Sequence, residues 1–368
     1  MKKIGLIINP IAGMGGSVGL KGTDGDIYKK ALKLGASPVA PKRISQFLSN
    51  LKSKEDLFLL VAPGKMGEDY VKKKGFAYEI IGEIKRKTTA DDTKRISNQM
   101  VEKSIELLVF CGGDGTARDI YDAIGMAKPV VAIPSGVKMF SSVFALNPRA
   151  GAEIIDKFLK EAIETLDKEI LDINEESYQR GILDSRLYGY LKVPKVQNLI
   201  QAGKDSSNVG RTDEVNKYEI AQHMIENMQN DILYLLGPGT TIKTIADHLK
   251  IPKTLLGIDA IYNKELIGRD LNEKGILELL NEYKKVEVIL TPIGGQGFIL
   301  GRGNKQITPK ILQIIGKKNL KIIATEEKMK GLNCLRVDTG DIEVDKIFEG
   351  PTKVIVGYKQ ELVVEILI

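Results

Sequence analysis

Four times along this chain a short apolar run stops at a glycine-rich segment. Ile4–Ile8 runs into N-P-I-A-G-M-G-G at 9–16, and Ile105–Phe110 into C-G-G-D-G-T at 111–116. Ile232–Leu236 runs into G-P-G-T-T at 237–241, and Val286–Leu290 into T-P-I-G-G-Q-G at 291–297. Runs this short, this rich in branched residues and without alternation predict buried parallel strands. Helical spacing predicts helices over 117–126, 242–249 and 148–167, the last with apolar residues at 154, 155, 158, 159, 162, 163 and 166. Residues 182–191 read as extended, 202–213 as a polar loop, and 320–324 and 353–357 as further strands. Strands alternating with helices predict an α/β fold. The expectation is a Rossmann-like N-terminal domain with a parallel sheet over 1–150 and a second, β-rich α+β domain over 151–330. The C-terminal segment, 331–368, is expected to pack back on the first domain.

Length agrees, because 368 residues exceed one ordinary core. The net charge of +6 is small against 54 basic and 48 acidic side chains, which suits an anionic small molecule. No Lys/Arg block marks a nucleic-acid surface, and no apolar stretch reaches the length of a membrane span. Cys111 and Cys334 stand apart and without metal-ligand spacing, which fits a reducing cytoplasm. His223 and His248 read as surface or capping residues.

The chemistry concentrates at Gly112-Gly113-Asp114-Gly115-Thr116. Glycines between a strand and a helix let backbone N–H groups approach an anion, and the helix dipole favours negative charge there. Asp114 is the exception: facing a phosphate it is repulsive unless it holds a cation or takes a proton from an attacking hydroxyl. On local physics alone, Asp114 or Thr116 capping its own helix explains the sequence equally well. The loop is not a Walker motif, since no G-K-[ST] is present at the right spacing.

G-G-D-G-T resembles the signature of the NAD kinase and diacylglycerol kinase superfamily. Asn9-Pro10 with Gly13 and Gly16 resembles the start of its lipid kinases. The stretch from Thr291 to Gly303, with Pro309 beyond it, resembles the T-P-T-G-S-T-A-Y-S-L-S-x-G block of NAD kinases. The nearest resemblance is to ATP–NAD-kinase-like proteins of the branch that includes acetoin-utilisation proteins. The resemblance implies a kinase that uses ATP, or polyphosphate, with Mg²⁺ and phosphorylates the 2′-hydroxyl of NAD to give NADP. It also implies a cytoplasmic homodimer or tetramer. By the same resemblance Asp114 activates the hydroxyl, and Gly112, Gly113, Gly115 and Thr116 cradle phosphates. Asn9, Gly13 and Gly16 line the ATP side, and Thr291, Gly294, Gly295, Gln296 and Gly297 the nucleotide from the second domain. Gly136 and Lys138 come from a half-matched lipid-kinase block at 133–140.

Two departures bear on the acceptor. The Asn-acidic pair that holds the dinucleotide in NAD kinases has only poor counterparts in Asn174-Glu175 and Gln197-Asn198, and Gly295-Gln296 stand where those enzymes have Ser-Thr. The alternatives are therefore a same-fold kinase for a lipid or another small molecule, or a nucleotide-binding sensor without turnover. Gly237–Thr241 has no counterpart in ordinary NAD kinases; it reads as an anion site or, somewhat better, as a turn capped by Thr240. A solvated turn is favoured at Lys21-Gly22-Thr23-Asp24-Gly25 and a turn at Arg336–Asp341. For Arg302 and Asn304, nucleotide contact and a polar strand end explain the sequence equally well.

Overall fold

The computed structural model describes residues 1–16, 18–20, 26–72, 74–84, 88–136, 139–173, 185–196, 199–200 and 211–368. The chain divides into two compact units, Met1–Met14 with Gly22–Gly203 and Gly15–Lys21 with Lys204–Ile368.

The first unit is built on five parallel strands, β1 (Lys2–Ile8), β2 (Leu57–Val61), β3 (Ala77–Ile80), β4 (Leu107–Gly112) and β5 (Val130–Pro134). They lie in the order β3-β2-β1-β4-β5. Its helices are α1 (Asp26–Lys33), α2 (Ala40–Asn50), α3 (Glu68–Val71), α4 (Ala90–Glu102), α5 (Asp114–Ile124) and α6 (Pro148–Lys160). Strands β1, β4 and β5 are buried on both faces, which is why their sequences are continuously apolar. Helices α4 and α5 share one core with Leu108 and Phe110. Helices α2 and α6 pack together elsewhere on the sheet, so tightly that a Cβ on Gly151 would lie 2.4 Å from Ile133 and 3.6 Å from Phe47. The order of strands reverses between β1 and β4, the position at which open α/β sheets bind ligands.

The antiparallel pair β6 (Thr165–Ile173) and β7 (Ser185–Pro194) adds Ile170, Leu191 and Val193 to the α4–α5 core. The helix expected over 148–167 therefore ends at Lys160. Glu161 is extended, and pairing with β7 decides the conformation of 165–167 against their helical spacing.

The second unit holds a mixed sheet of nine strands: β8 (Leu233–Leu236), β9 (Ile258–Tyr262), β10 (Glu265–Leu271), β11 (Val286–Leu290), β12 (Phe298–Leu300), β13 (Leu320–Ile323), β14 (Leu335–Val337), β15 (Gly350–Gly357) and β16 (Gln360–Leu367). Their order is β10-β9-β8-β11-β13-β15-β16-β14-β12. Its helices are α7 (Arg211–Asn227), α8 (Thr240–His248), α9 (Glu273–Glu282), α10 (Pro309–Ile315), α11 (Glu326–Lys330) and α12 (Ile342–Phe348). Alternate residues of the strands point to two cores. Leu233, Leu235, Val288 and Leu290 meet α9, α10 and α12, whereas Tyr234, Leu236 and Ile289 meet α7 and α8.

Three expectations are corrected. Residues 151–203 stay with the first unit, because α6 packs on its sheet and the β6–β7 pair completes its core. The segment 331–368 belongs to the second unit, not the first: β14, β15 and β16 are hydrogen-bonded members of its sheet. The polar run ending at 213 gives way to α7 at Arg211. The expected features at 182–184, 202–210, Lys21–Gly25, Asn174-Glu175, Gln197-Asn198 and Lys138 lie outside the described residues.

Candidate active site

At the carboxyl end of β4 the backbone leaves the sheet at Gly112, passes through an extended Gly113, and enters α5 at Asp114. Gly113 is the N-cap residue and no side chain caps the helix, so its first N–H groups face outward from the strand end. Gly112 is required by packing. A Cβ there would sit 2.4 Å from both Cβ and Oγ1 of Thr116. At Gly115 the nearest atom to a Cβ would be Arg118 Nη2 at 3.9 Å, so that position opens to free space.

The segment after β1 closes on the same loop. Asn9 donates its backbone N–H to Cys111 O (2.9 Å) and its Nδ2 to Thr116 Oγ1 (3.1 Å). Gly13, at φ +81°, lies so near the segment after β5 that a Cβ would come within 1.9 Å of Ser135 O. The N–H groups of Ser135 and Gly136 both donate to Gly112 O. Asn9, Gly13, Gly112, Gly113, Asp114, Thr116 and Gly136 thus gather at one place, the switch point between β1 and β4.

Asp114 does not cap its own helix. Its Oδ2 accepts from Phe140 N (2.7 Å) and its Oδ1 from Ser141 N (3.1 Å), tying α5 to the segment after β5. That segment is in turn fastened to β6: Leu171 N donates to Ser141 Oγ (3.0 Å) and Ser142 N to Glu169 O (2.9 Å). Arg118, one turn on, pairs with Asp172. Burial pushes the Asp114 carboxyl above its ordinary value, against the hydrogen bonds from Ser141 and Phe140 and the charge of Arg118. Sequence reading missed Ser141, Ser142, Arg118 and Asp172. The one available signal was the Ser-Ser pair just past the half-matched block at 133–140.

Does this donor set suit a resident Mg²⁺? Each oxygen of Asp114 already faces a backbone N–H. No three His, Cys, Asp or Glu side chains gather as ligands among the described residues. The described side chains do not fit a protein-held Mg²⁺. Nearby Cys111 is buried, and burial pushes its thiol up to about 12, so it behaves as a small hydrophobe.

The remaining expected site residues fall in the second unit. Gly16 sits in a turn, its carbonyl accepting from Gly19 N (3.3 Å). Thr291 follows β11, is only 4% exposed, and its hydroxyl has no hydrogen-bond partner. Gly294–Gln296 form a short 3-10 turn in which Gln296 Oε1 is likewise buried and unpartnered. Asn304 is wholly buried and holds the 299–304 turn, accepting from Gly301 N and donating to Ile299 O. Arg302 stacks on Phe298 and faces Asp338 at 3.8 Å, while Asp341 caps α12. Those contacts give Asn304 and Asp341 structural roles. Thr240 is not an N-cap; Gly239 is, without a side-chain cap.

Comparison with known proteins agrees with this architecture. The ATP-NAD kinase N-terminal domain matches residues 4–163 and the ATP-NAD kinase C-terminal domain residues 229–366. The chain belongs to the ATP-NAD kinase family. No curated protein matches it. Among solved structures, three from Bacillus anthracis str. Sterne described as diacylglycerol kinases, two of them provisionally, match at 16%, 18% and 19% identity. Each match covers 46% of this chain and 43–46% of the other, at TM-scores of 0.20–0.22, too low to carry an argument. The chain thus spans under half the length of those structures. No helix among the described residues is long and apolar enough to cross a membrane.

Proposed function

We propose that the protein transfers the terminal phosphoryl group of ATP to the 2′-hydroxyl of NAD, giving NADP and ADP. Asp114 carries the reading. It is a carboxylate at the β1–β4 switch point, beside an uncapped helix N-terminus, with its proton affinity raised by burial. The N–H groups opening α5 bind the phosphate charge as it shifts to the leaving oxygen. A carboxylate offers about four lone-pair directions, so two N–H bonds leave Asp114 able to accept the hydroxyl proton. The hydrogen bonds from Phe140 and Ser141 fix its orientation, and the β6 contacts to Ser141 and Ser142 fix theirs. In-line transfer then rests mainly on positioning and charge stabilisation.

One observation favours a second reading, a different hydroxyl acceptor on the same site. Gly295-Gln296 replace the Ser-Thr of the resembling block, and the oxygen of Gln296 is left without a partner. Purified protein with magnesium–ATP and NAD, followed by mass spectrometry for NADP and ADP, separates the two. ADP without NADP, with a phosphorylated product from another alcohol, rejects NAD as acceptor. Asp114→Asn is expected to lower turnover roughly 10²–10⁴-fold. Full turnover in a folded Asp114→Asn protein rejects the proton-accepting role.

A further inference from the structure

Helix α5 carries a single basic residue, Arg118, and its spacing sets it over the loop that opens the helix. Helical side chains lean toward the N-terminus, so each lies over the residues three and four positions before it, here Gly115 and Asp114. The contacts agree. The nearest atom to the open side of Gly115 is Arg118 Nη2, 3.9 Å from where a Cβ would stand. Burial raises the Asp114 carboxyl, and the positive charge of Arg118 works against it, so the two side chains sense each other.

The guanidinium is held from the side of the β6–β7 pair. Its Nη1 donates to Asp172 of β6, and its carbon lies 5.9 Å from the ring centre of Tyr188 of β7, within reach of a cation–π contact. Tyr188 is itself fixed: its hydroxyl donates to Asp122 (2.8 Å), and its ring meets Tyr121 edge-on at 5.9 Å. The neighbouring cation, Lys94, is committed to Asp122 (2.6 Å) and Asp119 (3.8 Å). An arginine offers five donors in a rigid fork. Among the described residues Arg118 uses one hydrogen bond, from Nη1, whereas Nη2 is the nitrogen nearest Gly115. Its side chain stays 29% exposed, so a ligand can reach it from solvent. An exposed ion pair adds little to stability, and a lysine would serve that pair as a point charge. A planar fork gripped at one end and open at the other is suited to an anion.

We propose that Arg118 binds the terminal phosphate of ATP, its Nη2 donating to a phosphate oxygen at the open side of Gly115 while Nη1 stays on Asp172. The inference rests on the phosphotransfer reading above and adds to it a full positive charge. The N–H groups opening α5 supply only partial charges at the same end of the helix. Because Asp172 and Tyr188 hold the guanidinium beforehand, little of its freedom remains to be lost when the nucleotide binds.

Calorimetry of magnesium–ATP on the full chain tests the proposal with two opposed variants. Arg118→Met removes the cation. Asp172→Asn keeps an acceptor for Nη1 but removes the counter-charge. Both delete the same exposed ion pair, so a role confined to fastening α5 to β6 weakens ATP binding in both or in neither. If Arg118 meets phosphate, Arg118→Met binds ATP tenfold or more weakly, the equivalent of one charge-assisted hydrogen bond, while Asp172→Asn binds it at least as tightly as the unmodified protein. A loss under tenfold in Arg118→Met, or a comparable loss in Asp172→Asn, overturns the proposal. Should Arg118→Met melt lower, Arg118→Gln gives the same comparison with a polar side chain. NADP formation is read on the same samples. Weaker ATP binding in Arg118→Met alone, in a protein that makes no NADP, keeps the role of Arg118 and removes NAD as acceptor. NADP formation with ATP binding unmoved in Arg118→Met sinks the role of Arg118 alone, and an unmodified protein that does not bind ATP sinks both.

Discussion

Two glycines three positions apart in one loop should respond oppositely to the same added methyl group. At Gly112, a Cβ would meet Thr116 at 2.4 Å (Cβ), 2.4 Å (Oγ1) and 2.7 Å (Cγ2), against the roughly 3.5–4.0 Å of comfortable contact. Thr116 is 3% exposed on the first turn of α5 and cannot swing into solvent. Gly112→Ala therefore overpacks the loop, at about 1–3 kcal/mol, and pulls Thr116 off Asn9 Nδ2, at about 0.5–1.5 kcal/mol more. The expected loss is ~1.5–4.5 kcal/mol. At Gly115 the same methyl meets only Arg118 Nη2 at 3.9 Å, within α5. Gly115→Ala should thus stabilise the fold by about 0.5–1 kcal/mol through lower backbone entropy in the unfolded chain. Urea unfolding reads both, as midpoint shifts at unchanged slope. A Gly112→Ala midpoint equal to that of the unmodified protein, or a Gly115→Ala loss above about 1 kcal/mol, refutes the packing argument. If the open space beside Gly115 receives phosphate, Gly115→Ala binds ATP more weakly while melting higher, a split that a purely structural loop would not give.

Other outcomes follow from buried groups. Asp114 must be ionised to accept a proton and its carboxyl is raised by burial, so kcat/KM should climb with pH through a limb lying above the ordinary 3.8, and Asp114→Asn should abolish that limb. A profile flat down to the ordinary carboxylate range counts against it. Asp259→Asn strands the buried Lys253 cation and should cost about 3–5 kcal/mol by denaturant melts. The double change Lys253→Met with Asp259→Leu should remain destabilised rather than neutral, because Asp259 also accepts from Thr254 N (2.9 Å), Thr254 Oγ1 (2.7 Å) and Asp270 N (2.8 Å). A double variant as stable as the unmodified protein would show those three bonds to be worthless. Thiol titration of the native protein should modify Cys334 and spare Cys111, whose thiol is pushed up to about 12, with Cys111 reacting only on unfolding.

The strands that carry the loops were legible because parallel strands buried on both faces leave an unmistakable apolar run, as in Leu107–Cys111 and Val286–Leu290. Their glycines were legible too, but for a partly different reason than phosphate approach. Gly112 and Gly13 make room for Thr116 and Ser135, whereas Gly115 and Gly294 open outward. Elements made by distant pairing were not legible. β6 has helical spacing in sequence and becomes a strand because β7 lies beside it; β14 joins its sheet only through β12 and β16, neither of them its neighbour in sequence. The same division runs through the site. Asp114 was found because a carboxylate among glycines is locally odd, whereas Ser141 and Ser142, which orient it, are ordinary residues 27 and 28 positions away whose meaning arises only when β6 and the segment after β5 meet. A motif therefore marks where charge is handled, while the precision of that handling comes from contacts that chain order hides.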